Sequence, residues 1–237
     1  AAPSGTDAGD CLDAADPCTI KRAFDRVQDD DELVLAPGTY SHKGFLGTGA
    51  ATRVDIHGAP GAPRPVLALE STEFGVIVPA NGRLADVRIG FFAPGAPQGL
   101  PAAVALHAGA VAERVEIESR GPHVAGAMVL GATLRNSIVR ADGDGTSIAA
   151  VVTGTSNLRG VTAVATRGAG RSIGLSSVPG VPSEIDVANS ILREYGPGAT
   201  ERGDAVLGET PVPGGVDVRV TLRRSNVRTI EVVQGDP

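Results

Sequence analysis

Apolar and polar positions alternate in short runs along this chain, and one run returns six times. The copies are LADVRI from Leu84, VAERVEI from Val111, LRNSIV from Leu134, LRGVTAV from Leu158, VANSIL from Val187 and LRRSNV from Leu222. Successive copies lie 27, 23, 24, 29 and 35 residues apart, the spacing of stacked repeats rather than of one globular core. Each alternates over a few positions, the period of a strand with one buried face. A second series accompanies it: VIV from Val76, AVAL from Ala103, AMVL from Ala127, AVV from Ala150, GL at Gly174 and AVL from Ala205. Two or three short strands per repeat, with Gly-rich corners between them, predict a coil of strands.

In such a coil, equivalent residues of successive repeats form columns ~4.8 Å apart. Val111, Leu134, Leu158, Val187 and Leu222 are expected to make one aliphatic column inside, and Ile138 and Ile191 a second, with Val115 and Thr162 in line. Between them fall Glu113, Asn136, Gly160, Asn189 and Arg224. Asn136 and Asn189 match in position, which fits amides at a corner or along a ladder. The chain has no Trp, and its five Phe (Phe24, Phe45, Phe74, Phe91, Phe92) stop at residue 92. The later core is therefore built from small aliphatics and backbone ladders.

The N-terminal part reads differently. Thr19 is an N-cap, with Ile20, Ala23, Phe24 and Val27 at helical spacing behind it. This predicts a helix over 19–28, ended by Asp29 to Asp31. A strand at Glu32–Leu35 and a turn at 36–40 follow. Such a helix can lid the first coil, whose open edge would otherwise invite association. No linker divides the repeats, so residues 1–237 read as a single domain, with the coils over 32–237.

The run TIKRAFDRVQDDDELVLAPGTY, followed by VDIHGAPGAPRPVL from Val54, resembles the opening segment of secreted proteins of the pectin lyase-like superfamily. The likeness covers residues 19–67, and weaker strand repeats extend it towards the C-terminus. It implies an all-β fold, a right-handed parallel β-helix solenoid with a short N-terminal capping helix. It implies no single activity, because that superfamily includes lyases, hydrolases, epimerases, tailspikes, adhesins and surface proteins without known catalysis.

Gly 32 and Pro 17 in 237 residues agree with a turn-dense chain. No apolar run approaches the ~18–20 residues of a bilayer span. A net charge of −6 argues against nucleic acid or an anionic membrane as partner. Cys11 and Cys18, the only cysteines, favour a local disulfide in an oxidising compartment over two free thiols. The start at Ala1, with neither an initiator Met nor an apolar leader, fits a signal peptide removed or trimmed away. A secreted or cell-surface protein is the expectation.

For chemistry, an arginine follows the second strand in five repeats: Arg120, Arg140, Arg167, Arg193 and Arg228. Aligned, they would form a basic stripe able to pair with the carboxylates of an acidic sugar chain. Asp142 and Asp144, in Asp142-Gly143-Asp144-Gly145, are the candidate ligands for a cation such as Ca²⁺, although a plain turn explains them as well. No other cofactor is expected. Of the scattered histidines (His42, His57, His107, His123), His123 in the turn RGPH is the one expected to be exposed. The resemblance supplies no catalytic residues. Arg167-Gly-Ala-Gly-Arg171 departs from the RxPxxR pattern of pectate lyases, and neither the polygalacturonase nor the alginate epimerase motifs occur. The reading favoured is a structural or binding β-helix, associated with polysaccharide, whose last coil continues into a longer chain or is shielded by a second copy. The alternative is a lyase or hydrolase acting on acidic polysaccharide.

Overall fold

Each strand of the chain pairs in parallel with the segment about one repeat further on, so the ladders run along an axis rather than closing locally. The computed structural model describes residues 1–13, 15–95, 99–178, 181–196, 198–209 and 218–234. It is an all-β parallel solenoid of about seven turns with one short helix. Three ladders build it. The first stacks Glu32–Leu35, Asp55–Gly58, Arg83–Ala85, Val111–Glu113, Thr133–Arg135, 154–159, Ser183–Ala188 and Val218–Arg223. The second stacks Thr39–Lys43, Val66–Glu70, Arg88–Phe92, 116–120, 138–142, Thr162–Thr166 and Ile191–Tyr195. The third runs from Leu46–Gly47 through Phe74–Val78, Ala102–Leu106 and the later coils to Ile230–Gln234. It carries the second series of the sequence: Val76, Val104, Ala127, Ala150, Leu175 and Ala205 lie in register.

Alternation decides which residues meet inside. In the first ladder the buried column is Leu33, Ile56, Leu84, Ala112, Leu134, Leu158 and Val187, with Leu222 next in register. Val111, expected in that column, stands one position off, and Ala112 takes its place. The expected second column is corrected more deeply. Ile138 and Ile191 are 37% and 42% exposed, and the residues facing inward are Leu67, Ile89, Ile117, Val139, Ala163 and Leu192. Val115 falls one position out of line with Ile138, which pairs with Glu116 instead.

The physical cause is the corner between the two ladders. Asp86, Arg114, Asn136, Gly160, Asn189 and Arg224 all adopt left-handed backbone, with φ between 49° and 63°. A left-handed residue turns the chain and breaks the alternation, so each repeated phrase is two strand ends joined by a corner, not one strand. Asn tolerates this conformation better than most side chains, and Gly adopts it freely. Asn136 and Asn189 therefore do mark a corner, with Arg114 rather than Glu113 as their counterpart. The next residue seals it. The Ser190 hydroxyl donates to Ala188 O at 2.9 Å and accepts from Val161 N of the preceding coil at 3.1 Å. Ser137 does the same with Arg135 O and Val115 N.

The two ends of the stack differ. At the N-terminal end the helix Ile20–Arg26, shorter than expected, is capped by Thr19 and buries Ile20, Ala23 and Phe24 over the first coil. A Cys11–Cys18 disulfide ties its approach, and suggests an oxidising environment. At the other end Glu194 stands in the inward column of Phe91, Ser119, Ala141 and Ala165, 5% exposed, and Asp204 is fully buried. Glu194 accepts from Arg202 at 2.7 Å, and Asp204 from Arg193 and Arg228 at 3.3 Å. These ion pairs lie beneath a further coil, whose strands Val218–Arg223 and Ile230–Gln234 stack beyond them and leave Ile230 and Val232 half-exposed. No helix among the described residues is long and apolar enough to cross a membrane.

Candidate functional site: a groove on the outer face of the second ladder

Outward positions of the second ladder form three parallel columns. The middle column runs Ser41, Ala68, Gly90, Glu118, Arg140, Val164 and Arg193. The column beside it runs Lys43, Glu70, Phe92, Arg120, Asp142, Thr166 and Tyr195. Over the first three coils the middle column is nearly bare, so the larger neighbours stand above it as a wall. The result is a groove of about 550 Å³ along the solenoid axis, lined by Ser41, Ala68, Gly90, Lys43, Glu70, Phe92, Glu118 and Arg120 among others. Its volume is that of a small-ligand site.

Gly90 needs no glycine for the fold. Its φ is not in the left-handed range, and an added Cβ would meet only Leu67 O at 4.0 Å. Glycine weakens a strand and leaves nothing to pack, so it often marks where another molecule approaches the backbone. Phe92 beside it is 50% exposed, an apolar ring held at the rim by a strand. Polar groups close the ends. Lys43 Nζ lies 3.1 Å from Glu70, and Arg120 is hydrogen-bonded to Glu118.

The predicted arginines divide into two groups. Arg120, Arg140 and Arg167 lie on or beside this outer face, each with an acidic partner. Arg140 bonds Glu116 at 3.2 Å, and Arg167 bonds Asp142 and approaches Asp144 at 3.7 Å. Arg193 turns away from the face to Asp204, Leu192 O and Asn226 O, and Arg228 joins it there. Asp142 is held by Arg167 and by the Thr166 hydroxyl at 3.0 Å, and these bonds, led by Arg167, keep its carboxyl below the ordinary range. Asp144 is exposed. The Asp142–Gly145 stretch bends within the continuous strand Ile138–Arg159 rather than forming a loop. Among the described residues, no three Asp, Glu, His or Cys side chains gather as a metal site.

His123 is half-buried on Thr146 at 3.1 Å, whereas His107 is the exposed histidine. His57 is buried on the outer face of the first ladder, its Nδ1 2.8 Å from Gly58 O and its Nε2 2.7 Å from Glu32. Nearby, Glu113 gathers Arg83, Arg114 and Arg135 within 2.6–3.1 Å. Burial opposes the ionised form of Glu113, but those guanidinium bonds outweigh it and lower its pKa. This polar cleft is self-neutralised.

Sequence reasoning missed the groove because Ser41, Ala68 and Gly90 are unremarkable in isolation. Only the register places these three small residues in line, leading to Phe92. The scarcity of aromatics after residue 92 was legible, but the early ones were not connected to an outer face. Compared with family models, curated proteins and solved structures, the chain matches none of them.

Proposed function

We propose that this solenoid is a secreted or cell-surface protein of the pectin lyase-like type that holds polysaccharide in the Gly90 groove without cleaving it. The observation that carries the reading is the open strand position at Gly90 beside the half-exposed Phe92 ring. A pyranose presents an apolar C–H face to an aromatic ring and hydroxyls to polar neighbours. The coil spacing of ~4.8 Å is close to the length of one sugar unit, so a chain laid along the axis meets a small-residue floor at each of the three coils of Ser41, Ala68 and Gly90. Binding is favoured over turnover because Glu70 and Glu118, the carboxylates of the groove, are each engaged by a cation. Glycoside hydrolysis needs one carboxyl free to carry a proton and a second to attack or to activate water.

The test is affinity electrophoresis of the purified protein in gels containing soluble polysaccharides. Gly90→Leu, which fills the floor, and Phe92→Ala are expected to weaken retardation by about tenfold, the effect of losing ~1.4 kcal/mol. Wild-type mobility unaffected by every polysaccharide, or retardation unchanged in both variants, would remove the groove as the site. Product release in a reducing-sugar or unsaturated-uronate assay would show that the protein is an enzyme instead.

A further inference from the structure

We infer that the glycan taken by this groove is uncharged, a neutral hexose or pentose polymer rather than a uronate or a sulfated chain. The inference rests on the groove being the binding site and specifies what enters it. The outer face of the second ladder and its edge carry Lys43, Arg88, Arg120, Arg140 and Arg167, and against them Glu70, Glu116, Glu118, Asp142 and Asp144. The two sets are equal in number. They are also interleaved: Lys43 with Glu70, Arg120 with Glu118, Arg88 between Glu116 and Glu118, Arg140 with Glu116, and Arg167 with Asp142.

An acidic polymer would therefore meet no net positive field. Each of its carboxylates would have to share a cation with a protein carboxylate already paired there, and the repulsion between the two like charges offsets the attraction. The pairs next to the groove bridge coils or neighbouring positions of the ladder, so their geometry is set by the register and not by a ligand. The whole chain, at −6, adds long-range repulsion for polyanions. A neutral sugar meets none of these costs. Its hydroxyls can donate to Glu70 and Glu118 and accept from Lys43 and Arg120 while every ion pair stays intact, and its ring face can cover Phe92.

Binding is measured by titration calorimetry on a panel of hexaoses: cello-, xylo-, manno- and malto-hexaose on the neutral side, oligogalacturonate and oligomannuronate on the acidic side. Each is titrated at low and high salt. At least one neutral hexaose is expected to bind, with affinity changing less than about twofold as the ionic strength rises and charges become screened. The acidic hexaoses are expected to bind at least ~10-fold more weakly, the size of a modest specificity difference. Glu118→Gln, which releases Arg120 and Arg88 from their shared partner, is expected to raise affinity for oligogalacturonate. Melting of each variant by circular dichroism keeps unfolding apart from loss of binding. Tighter, salt-sensitive binding of an acidic hexaose that Gly90→Leu abolishes would overturn the neutral assignment and leave the groove standing. Failure of the wild type to bind any hexaose, or binding indifferent to Gly90→Leu, would count against the groove itself.

Discussion

Arg228 bonds Asp204 through its backbone N–H at 2.6 Å and through its guanidinium at 3.3 Å, where the last two coils of the stack meet. The same guanidinium lies 5.6 Å from the centre of the Tyr195 ring. Asp204 also accepts from Glu194 N at 3.0 Å and from Arg193. A fully buried carboxylate with four donors is stable only while all of them remain. Asp204→Ala is expected to cost about 3 kcal/mol, because removing one member of a buried pair leaves its partner uncompensated. Chemical denaturation of variant and wild type at neutral pH measures it.

The same carboxylate sets an acid limit. Burial alone would raise its pKa, but the Arg228 bonds and the Glu194 N–H outweigh that and lower it below the usual carboxylate value. A group depressed in the folded state stabilises the fold above its unfolded pKa, and that stability is lost as pH falls through the folded value. The wild type is therefore expected to lose stability below about pH 4, the ordinary carboxylate range. Asp204→Asn is expected to show a shallower decline in the same series of melts. Equal slopes would mean that other carboxylates control acid unfolding.

His57 gives the opposite sign. Desolvation lowers its pKa, but the bonds to Gly58 O and Glu32 favour the protonated ring and the balance raises it. Its contribution is complete below the unfolded value of ~6.5 and is lost as pH rises through the folded one. Glu32→Gln should move the His57 titration, followed by NMR, to lower pH. A midpoint that stays in place would show that the carbonyl alone is responsible.

Substitutions at the corner distinguish the observed phase from the simple alternation expected of one strand. Leu158→Ala, in the buried column, is expected to cost ~2–5 kcal/mol through the cavity it leaves. Ile138→Ala, outside, is expected to cost less than about 1 kcal/mol, as surface changes do. Gly90→Val should leave stability unchanged or raise it by roughly 0.5–1 kcal/mol, since glycine is the weaker strand former. Thermal unfolding of the three variants checks all of this together.

The repeat was legible because strand alternation is local: Leu134, Leu158 and Val187 announce their own column. The phase beyond the corner was not, since the left-handed backbone of Asn136 and Asn189 adds half a period that no apolar pattern records. The arginine stripe could be counted but not interpreted, because the acids that neutralise Arg140 and Arg167 come from a neighbouring coil, 24 and 25 residues away. The groove depends on three small residues whose significance arises only from stacking. The burial of Glu194 was hidden for a related reason: only register puts it in the inward column of Phe91, Ser119, Ala141 and Ala165.

Two consecutive coils of this stack pair along the strands Glu116–Leu130 and Ile138–Arg159, with one register shift between Gly121 and His123, the second strand continuing through two corners of the coil. In a one-dimensional array each unit is held only by its neighbours, so the longest seam is also the hardest to open. Amide protons around Ala127 and Ala150 should consequently be the last to exchange with solvent, while the helix at one end and the strand Ile230–Gln234 at the other fray first. Melting would then proceed like a zip pulled from both ends towards a clasp in the middle.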